Sequence, residues 1–456
     1  MARVSILLVT VAFLITVAPI TGMVGYVSPS QNHEIWTWYD LNAIRNDLGG
    51  NYTLMNDLDS TTPGYQELAS PTANQGEGWQ PIAAYQPWAA TTFTGFMGTF
   101  DGQGHQIRDL YVNRPDELGA GLFGEVGQEG VIKSIRVVNA SVTGDGFVGL
   151  FAVVDLGGRI QNTSVVNATV TGRAFVGGLA GESWGTVSNS YCAASVTGNH
   201  IIGGLVGETS YGTVIDSYST GSVTGNSVVG GLVGSNYQAT VSSSYSAGSV
   251  SGNNTIGGLV GDNSGSISNS FWDIETSGQA TSAGGTGKTT AEMKDIATFS
   301  GAGWKICAVP PGATNPAYTW NIVANETYPF LSWQPVLTSQ DQQPIEITSV
   351  LGPIGLPNPA GPIVEIAVKN VGAQPVVSLT VTLEVLSASG IPFEFAFDDV
   401  SPSNPLQPDG STSDTRCLIG GGFTAGNVSY PLKIDAVLQN GSEFVYTKLV
   451  QIEAPG

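Results

Sequence analysis

Residues 203–229 read GGLVGETSYGTVIDSYSTGSVTGNSVV and residues 230–256 read GGLVGSNYQATVSSSYSAGSVSGNNTI, two copies in register at their Gly-Leu-Val-Gly, Tyr-Ser and Gly-Ser-Val positions. Working outward, the phrase recurs as GLFG from Gly121, GLFA from Gly149, GLAG from Gly178 and GLVG from Gly204, Gly231 and Gly258, at intervals of 28, 29, 26, 27 and 27 residues. A period of that length predicts a solenoid, because one unit is too short to bury its own apolar face and becomes stable only when neighbours stack on it. Each unit is expected to supply three short strands with Gly, Asn or Asp at the joins. Aligning the copies gives a column of Leu122, Leu150, Leu179, Leu205, Leu232 and Leu259 and a second of Val142, Val170, Val196, Val223 and Val250. Tyr191, Tyr218, Tyr245 and Phe271 form a third. The Leu and Tyr columns are expected to face inward as continuous ladders.

Composition points the same way. Of 456 residues 61 are Gly and only 11% are charged, a mixture rich in turns and strands. The net charge of −21 disfavours nucleic acid and anionic membrane surfaces as partners. Residues 1–27 begin with Arg3, continue uncharged from Val4 to Val27 and are interrupted by Pro19, which reads as an export signal or, alternatively, an uncleaved N-terminal anchor. That segment is the one membrane contact expected, and either reading puts the chain outside the cytoplasm, secreted or at the cell surface.

Residues 28–120 lack the repeat and read as an N-terminal cap with entry coils, in which Asp40 caps a short helix presenting Leu41, Ile44 and Leu48 on one face. The repeats occupy 121–275. A C-terminal cap at 276–337 contains a capping box of Thr289 and Glu292. A linker at 338–345 leads to 346–456, where the runs IEITSV, IVEIAVKN, VVSLTVTLEV, FEFAF, CLIGGGF, LKIDAVL and EFVYTKLVQI suggest an immunoglobulin-like β-sandwich, with Asn440-Gly441 as a hairpin turn. The sequons at Asn51, Asn139, Asn162, Asn167, Asn253, Asn325, Asn427 and Asn440 are glycosylation candidates in an exported chain. Three scattered cysteines, Cys192, Cys307 and Cys417, make neither a disulfide framework nor a metal-ligand spacing.

Residues 35 to about 335 resemble the GLUG-motif repeat proteins. The resemblance rests on the repeats together with the entry (DLNAIRNDLGGNYTLMNDLD, GWQPI, FTGFMGTFDGQGHQIRDLYV) and the exit (SFWDIETSGQ, GGTGKTTAEMK, GWKI, YPFLSW). It implies a right-handed parallel β-helix on prokaryotic surface or secreted proteins, including adhesin-like passengers and non-catalytic regions of extracellular peptidases, and no shared active site. The second copy departs from the pattern, with Ala152 where Gly is expected.

Four patterns bear on chemistry. SAGGTGKT (282–289) nearly spells a phosphate-binding loop but has Ser282 in place of the first glycine, and reads as a turn into the helix cap. FDGQGH brings Asp101 and His105 together, either as turn residues or as an acid/base pair of a polysaccharide enzyme. No His-Glu-x-x-His occurs, so no metallopeptidase site is present in the sequence. The column after the Gly-Leu-x-Gly phrase runs Glu125, Val153, Glu182, Glu208, Ser235 and Asp262, with Trp184, Tyr211 and Tyr237 on the same loops. Glu182, Trp184, Glu208, Tyr211 and Tyr237 are the candidate ligand-binding residues. They read as a plain exposed acidic turn, as a strip for cell-surface glycans or surface proteins, as a cation site, or as the carboxylate pair of a glycosidase. No catalytic residue is assigned, no cofactor is called for, and the sequence leaves any metal unspecified. The reading is a non-catalytic extracellular solenoid, an adhesin or rigid spacer. A carbohydrate-active enzyme, either polysaccharide lyase or glycoside hydrolase, is the alternative on the same fold.

Processing is expected to remove the first 22 to 28 residues, because Gly22, Gly25 and Ser28 follow the apolar stretch and Pro19 breaks any long helix. N-terminal sequencing of protein from its native host checks this; an intact Met1 or Ala2 would mean an anchor instead.

Overall fold

The computed structural model describes residues 32–84, 95–150, 152–155 and 157–334, and beyond them 345–351, 363–370, 376–386, 392–397, 400–401, 406, 411–417, 429–438 and 443–451. The N-terminal leader, the linker apart from Ile345, the Asn440-Gly441 turn and the sequons Asn427 and Asn440 lie outside the described residues.

Four parallel sheets run along the solenoid, and each interior strand pairs with its counterparts one coil before and one coil after. The first holds nine strands, from Asn32–Ile35 through Asn51–Leu54 and Thr99–Asp101 to Ser266–Ser268. It therefore begins well before the repeat is visible in the sequence. Two six-stranded sheets start at Gly119–Ala120 and Phe123–Val126, and the remaining sheet carries the tyrosines. Registers are strict: Val187 pairs with Val214 and Val214 with Val241. One coil is built from five segments rather than three, at Val206–Ser210, Thr213–Ile215, Tyr218–Ser219, Val223–Thr224 and Ser227–Gly230. One additional break falls between Thr213–Ile215 and Tyr218–Ser219, where the chain turns through positive φ at Asp216 (47°), and the other falls at the Gly204-Leu205 step. The corner position after each of the last six first-sheet strands is Ser134, Asn162, Asn189, Asp216, Ser243 or Asn269, all with positive φ. Short polar side chains tolerate that geometry, which explains the Asn, Asp and Ser column.

The Gly-Gly-Leu-Val-Gly phrase has a steric origin. A Cβ on Gly203 would overlap the Val206 carbonyl, one on Gly204 the Gly231 carbonyl and Ser219 Oγ, and one on Gly207 the Gly181 carbonyl. The leucine of each copy is fully buried, as are Val214 and Val241 of the first sheet. In the second copy Ala152 pairs with Phe123 and Ala180, so it takes the apolar position and not that of a missing glycine. That copy thus carries one more residue between Leu150 and this pair, and Val154, not Val153, stands between Glu125 and Glu182.

The Tyr column does not face inward. Tyr191, Tyr218 and Tyr245 stack with ring centroids 4.9 and 4.8 Å apart and 4° between planes, on the outer side of their sheet. The neighbouring residues Cys192, Ser219 and Ser246 are the ones that point inward, where only a small side chain fits against Gly178, Gly204 and Gly231. Residues 276–334 cover the tyrosines. The chain first crosses the last coil, where Leu259 N–H bonds Ser282 Oγ (3.2 Å) and Ala283 N–H bonds the Val260 carbonyl (3.0 Å), so SAGGTGKT is a lid and not a phosphate loop. It then doubles back along the flank. The indole N–H groups of Trp304, Trp320 and Trp333 donate in turn to the Asn269 carbonyl (2.7 Å), Asp216 Oδ1 (3.1 Å) and the Asn189 carbonyl (3.1 Å), stepping towards earlier coils.

At the entry, Trp38, Leu41 and Ile44 are buried. The helix Trp38–Ala43 is capped by Thr37, with Asp40 as its capping-box partner rather than as the cap. The Thr289 and Glu292 box forms as the sequence suggests. The C-terminal residues form two antiparallel sheets, of three and four strands. The fifth strand is Ser411–Cys417, ending where the expected CLIGGGF run begins.

Replacing Gly204 with Ala is expected to cost at least about 1–3 kcal/mol, because backbone as well as a side chain must move. Adding Ser219→Gly should recover only part of this, since the Gly231 carbonyl remains in the way. Urea midpoints of the two variants provide the measurement.

Candidate functional site

The five candidate residues do come together. They lie where the Phe123–Val126 sheet turns into the first sheet, at the ends of Ala180–Ser183, Val206–Ser210 and Val233–Tyr237. Glu182 and Glu208 are direct register partners, and Glu208 in turn faces Ser235. Trp184, Tyr211 and Tyr237 are 45%, 56% and 44% exposed, which is unusual for aromatic rings and leaves their faces open to solvent. Ring centroids of Trp184 and Tyr211 lie 5.5 Å apart, and those of Tyr211 and Tyr237 5.6 Å, so the strip climbs one ring per coil. The Trp184 indole N–H donates to Glu182 Oε1 at 2.6 Å, and Ser210 Oγ donates to Glu208 Oε1 at 2.9 Å, fixing both carboxylates.

The sequence suggested an exposed acidic turn with ordinary carboxyl groups. Instead Glu182 is half-buried, and burial holds its pKa above the usual glutamate value. The Trp184 hydrogen bond opposes that shift, and the neighbouring Glu208 charge adds to it. The Glu208 contribution is the smallest of the three and comes from the repeat, since stacking like on like puts one carboxylate above another. Glu125, set apart from this pair by Val154, is also raised by burial.

The other patterns separate. His105 Nδ1 sits 3.1 Å from Asp57, while Asp101 pairs with Lys133 at 2.9 Å, so Asp101 and His105 do not act as a pair. Among the sequons, Asn139, Asn167, Asn253 and Asn325 are exposed, whereas Asn51 and Asn162 are half-buried. Asn167 Nδ2 donates to Asn139 Oδ1 (2.6 Å) and Asn253 Nδ2 to Asn226 Oδ1 (2.8 Å), a structural use for amides at these corners. Cys192 and Cys307 are unpaired, and burial pushes the Cys192 thiol up to about 12. Among the described residues no three His, Cys, Asp or Glu side chains converge.

This geometry defines a parallel β-solenoid repeat protein carrying the GLUG motif. Residues 198–224 match the family model described as the GLUG motif. Halomucin of Haloquadratum walsbyi is 34% identical over 123 residues, covering 26% of this chain and 1% of its own. A putative Gly-rich membrane protein of Evansella cellulosilytica is 33% identical over 107 residues, covering 23% of this chain and 10% of its own. The matches thus span a small fraction of these relatives. Among solved structures, an IgA1 protease aligns over 53% of this chain and 19% of its own, with 18% identity and a TM-score of 0.38.

Replacing Glu182 with Gln is expected to leave melting unchanged or raise it at neutral pH. A carboxyl whose pKa is raised by folding favours the folded state most below the ordinary glutamate range and loses that contribution as pH rises through the shifted value. The advantage of the Gln variant should therefore vanish in acid, which melting curves across pH test directly.

Proposed function

We propose that the protein is a non-catalytic extracellular β-solenoid, acting at the cell surface as an adhesin or rigid spacer, and that the strip of Glu182, Trp184, Glu208, Tyr211 and Tyr237 binds glycans. The observation that carries this is the ladder of three open aromatic rings on successive coils, two of them beside fixed carboxylates. Aromatic faces stack on the apolar faces of sugar rings, and the carboxylates accept bonds from sugar hydroxyls. A ladder rising one ring per coil suits an extended polysaccharide. The names of the relatives, a halomucin and a Gly-rich membrane protein, support a surface setting. In this reading the seven C-terminal strands form an immunoglobulin-like sandwich used for attachment or partner contact.

The raised Glu182 carboxyl beside Glu208 favours one second reading, a glycoside hydrolase in which Glu182 is the acid. A variant with Glu182→Gln, Glu208→Gln and Trp184→Ala separates the two. It should fold like the parent and lose about tenfold or more in glycan affinity on an array. Polysaccharide cleavage by the parent that is absent in the variant would establish the hydrolase reading; equal glycan binding by both would make the strip ordinary surface.

A further inference from the structure

Along the outer face of the tyrosine sheet the register runs Gln106, Arg136, Ser164, Tyr191, Tyr218, Tyr245 and Phe271. The four aromatic members lie under residues 276–334, and Trp333, against Tyr191, marks where that cover ends among the described residues. The three polar members occupy the coils beyond. At that boundary the surface opens into a cavity of about 630 Å³ lined by Asp101, Gln103, Gln106, Arg136, Asn162 and Trp333. Its size falls within the range of small-ligand sites.

Arg136 is 92% buried, yet its Nε has no hydrogen-bond partner, and among the described residues no ion pair involves it. Ser164, its register partner on the next coil, is fully buried and its Oγ is likewise unpartnered. A buried guanidinium Nε without a partner is costly, because that donor has given up water and gained no bond in return. An anion in the cavity would supply the missing partner. Asp101, the one carboxylate in the lining, is already neutralised by Lys133 at 2.9 Å, so it does not fill that role for Arg136.

We propose that this cavity is a second binding site, separate from the exposed strip, which takes a carboxylate-bearing sugar of an acidic glycan. Arg136 meets the carboxylate, for which a planar guanidinium is suited. The Trp333 ring, 37% exposed, offers a face for the pyranose, and the Gln103, Gln106 and Asn162 amides suit its hydroxyls. An acidic peptide would share the carboxylate but would make no particular use of an open indole face bordered by amides. The site depends neither on the strip nor on its function.

The test titrates the full chain with oligogalacturonate, the neutral galactose oligomer of equal length, and a Glu-rich peptide, using calorimetry. Binding of oligogalacturonate alone, weakened about tenfold or more by Arg136→Gln and also weakened by Trp333→Leu, supports the proposal. An unchanged or higher melting temperature for Arg136→Gln is expected as well, since the variant removes an unsatisfied buried charge. Equal binding of the neutral oligomer, binding of the peptide alone, or no binding of any probe would overturn it. So would a lowered melting temperature for Arg136→Gln, which would mean that the protein itself satisfies the guanidinium. Trp333→Leu tests the indole face independently of the arginine, and unchanged oligogalacturonate binding by that variant would also overturn the proposal.

Discussion

The closeness of one coil to the next governs the structure. Adjacent coils are joined by backbone hydrogen bonds such as Leu205 N–H to the Leu232 carbonyl (2.9 Å) and Leu232 N–H to the Leu259 carbonyl (2.8 Å). At Gly204 and Gly207 this approach leaves no room for a Cβ. Once those positions are glycine, the remaining residues of each coil fall directly above their counterparts, and every side-chain feature becomes a column. The leucine core, the stacked tyrosines and the exposed aromatic strip are three results of this one constraint. So is the serine ladder, in which the N–H groups of Ser190, Ser217 and Ser244 each bond the Oγ of the serine one coil on, at 3.2 Å.

The same stacking raises an electrostatic difficulty. A charge that recurs every coil meets its own copy, and like charges at that separation repel. The column after the glycine phrase shows how the sequence limits this, since Val154, Ser235 and Asp262 interrupt or diversify it and Glu182 with Glu208 is its one directly paired set of glutamates. The half-buried Glu182 carboxyl there feels desolvation first and its neighbour to a lesser degree, so coil spacing adds to a proton affinity set mainly by its local surroundings.

The period, the leucine column and the strip were legible because each depends only on residues recurring at about 27 positions. The sidedness of Tyr191, Tyr218 and Tyr245 was not. In a two-residue segment such as Tyr218–Ser219 one residue must point in and the other out, and apolar size favours the wrong one. What decides it is the absence of space beside Gly204, together with a cover supplied by Trp304, Trp320 and Leu331 from far along the chain. The entry coils at 28–120 were readable as coils but not in their register, for a related reason. Asn51–Leu54 and Thr99–Asp101 are consecutive strands of the first sheet, yet an insertion separates them and erases the period. Arg136 was missed altogether, because its isolation appears only once its register with Ser164 and Tyr191 is known.

The return of residues 276–334 along the flank changes where force enters the molecule. The described residues of the flank end beside Asn189, near the middle of the solenoid, and not at the last coil, which the chain has already closed with the Ser282 lid. A pull on residue 334 along the axis is shared by the anchors of Trp333, Trp320 and Trp304 on three separate coils, in sliding rather than peeling. Several bonds must then yield together, whereas a pull at right angles to the axis would take them one at a time. The flank therefore gives the protein a directional grip, strongest when the load runs along its own length.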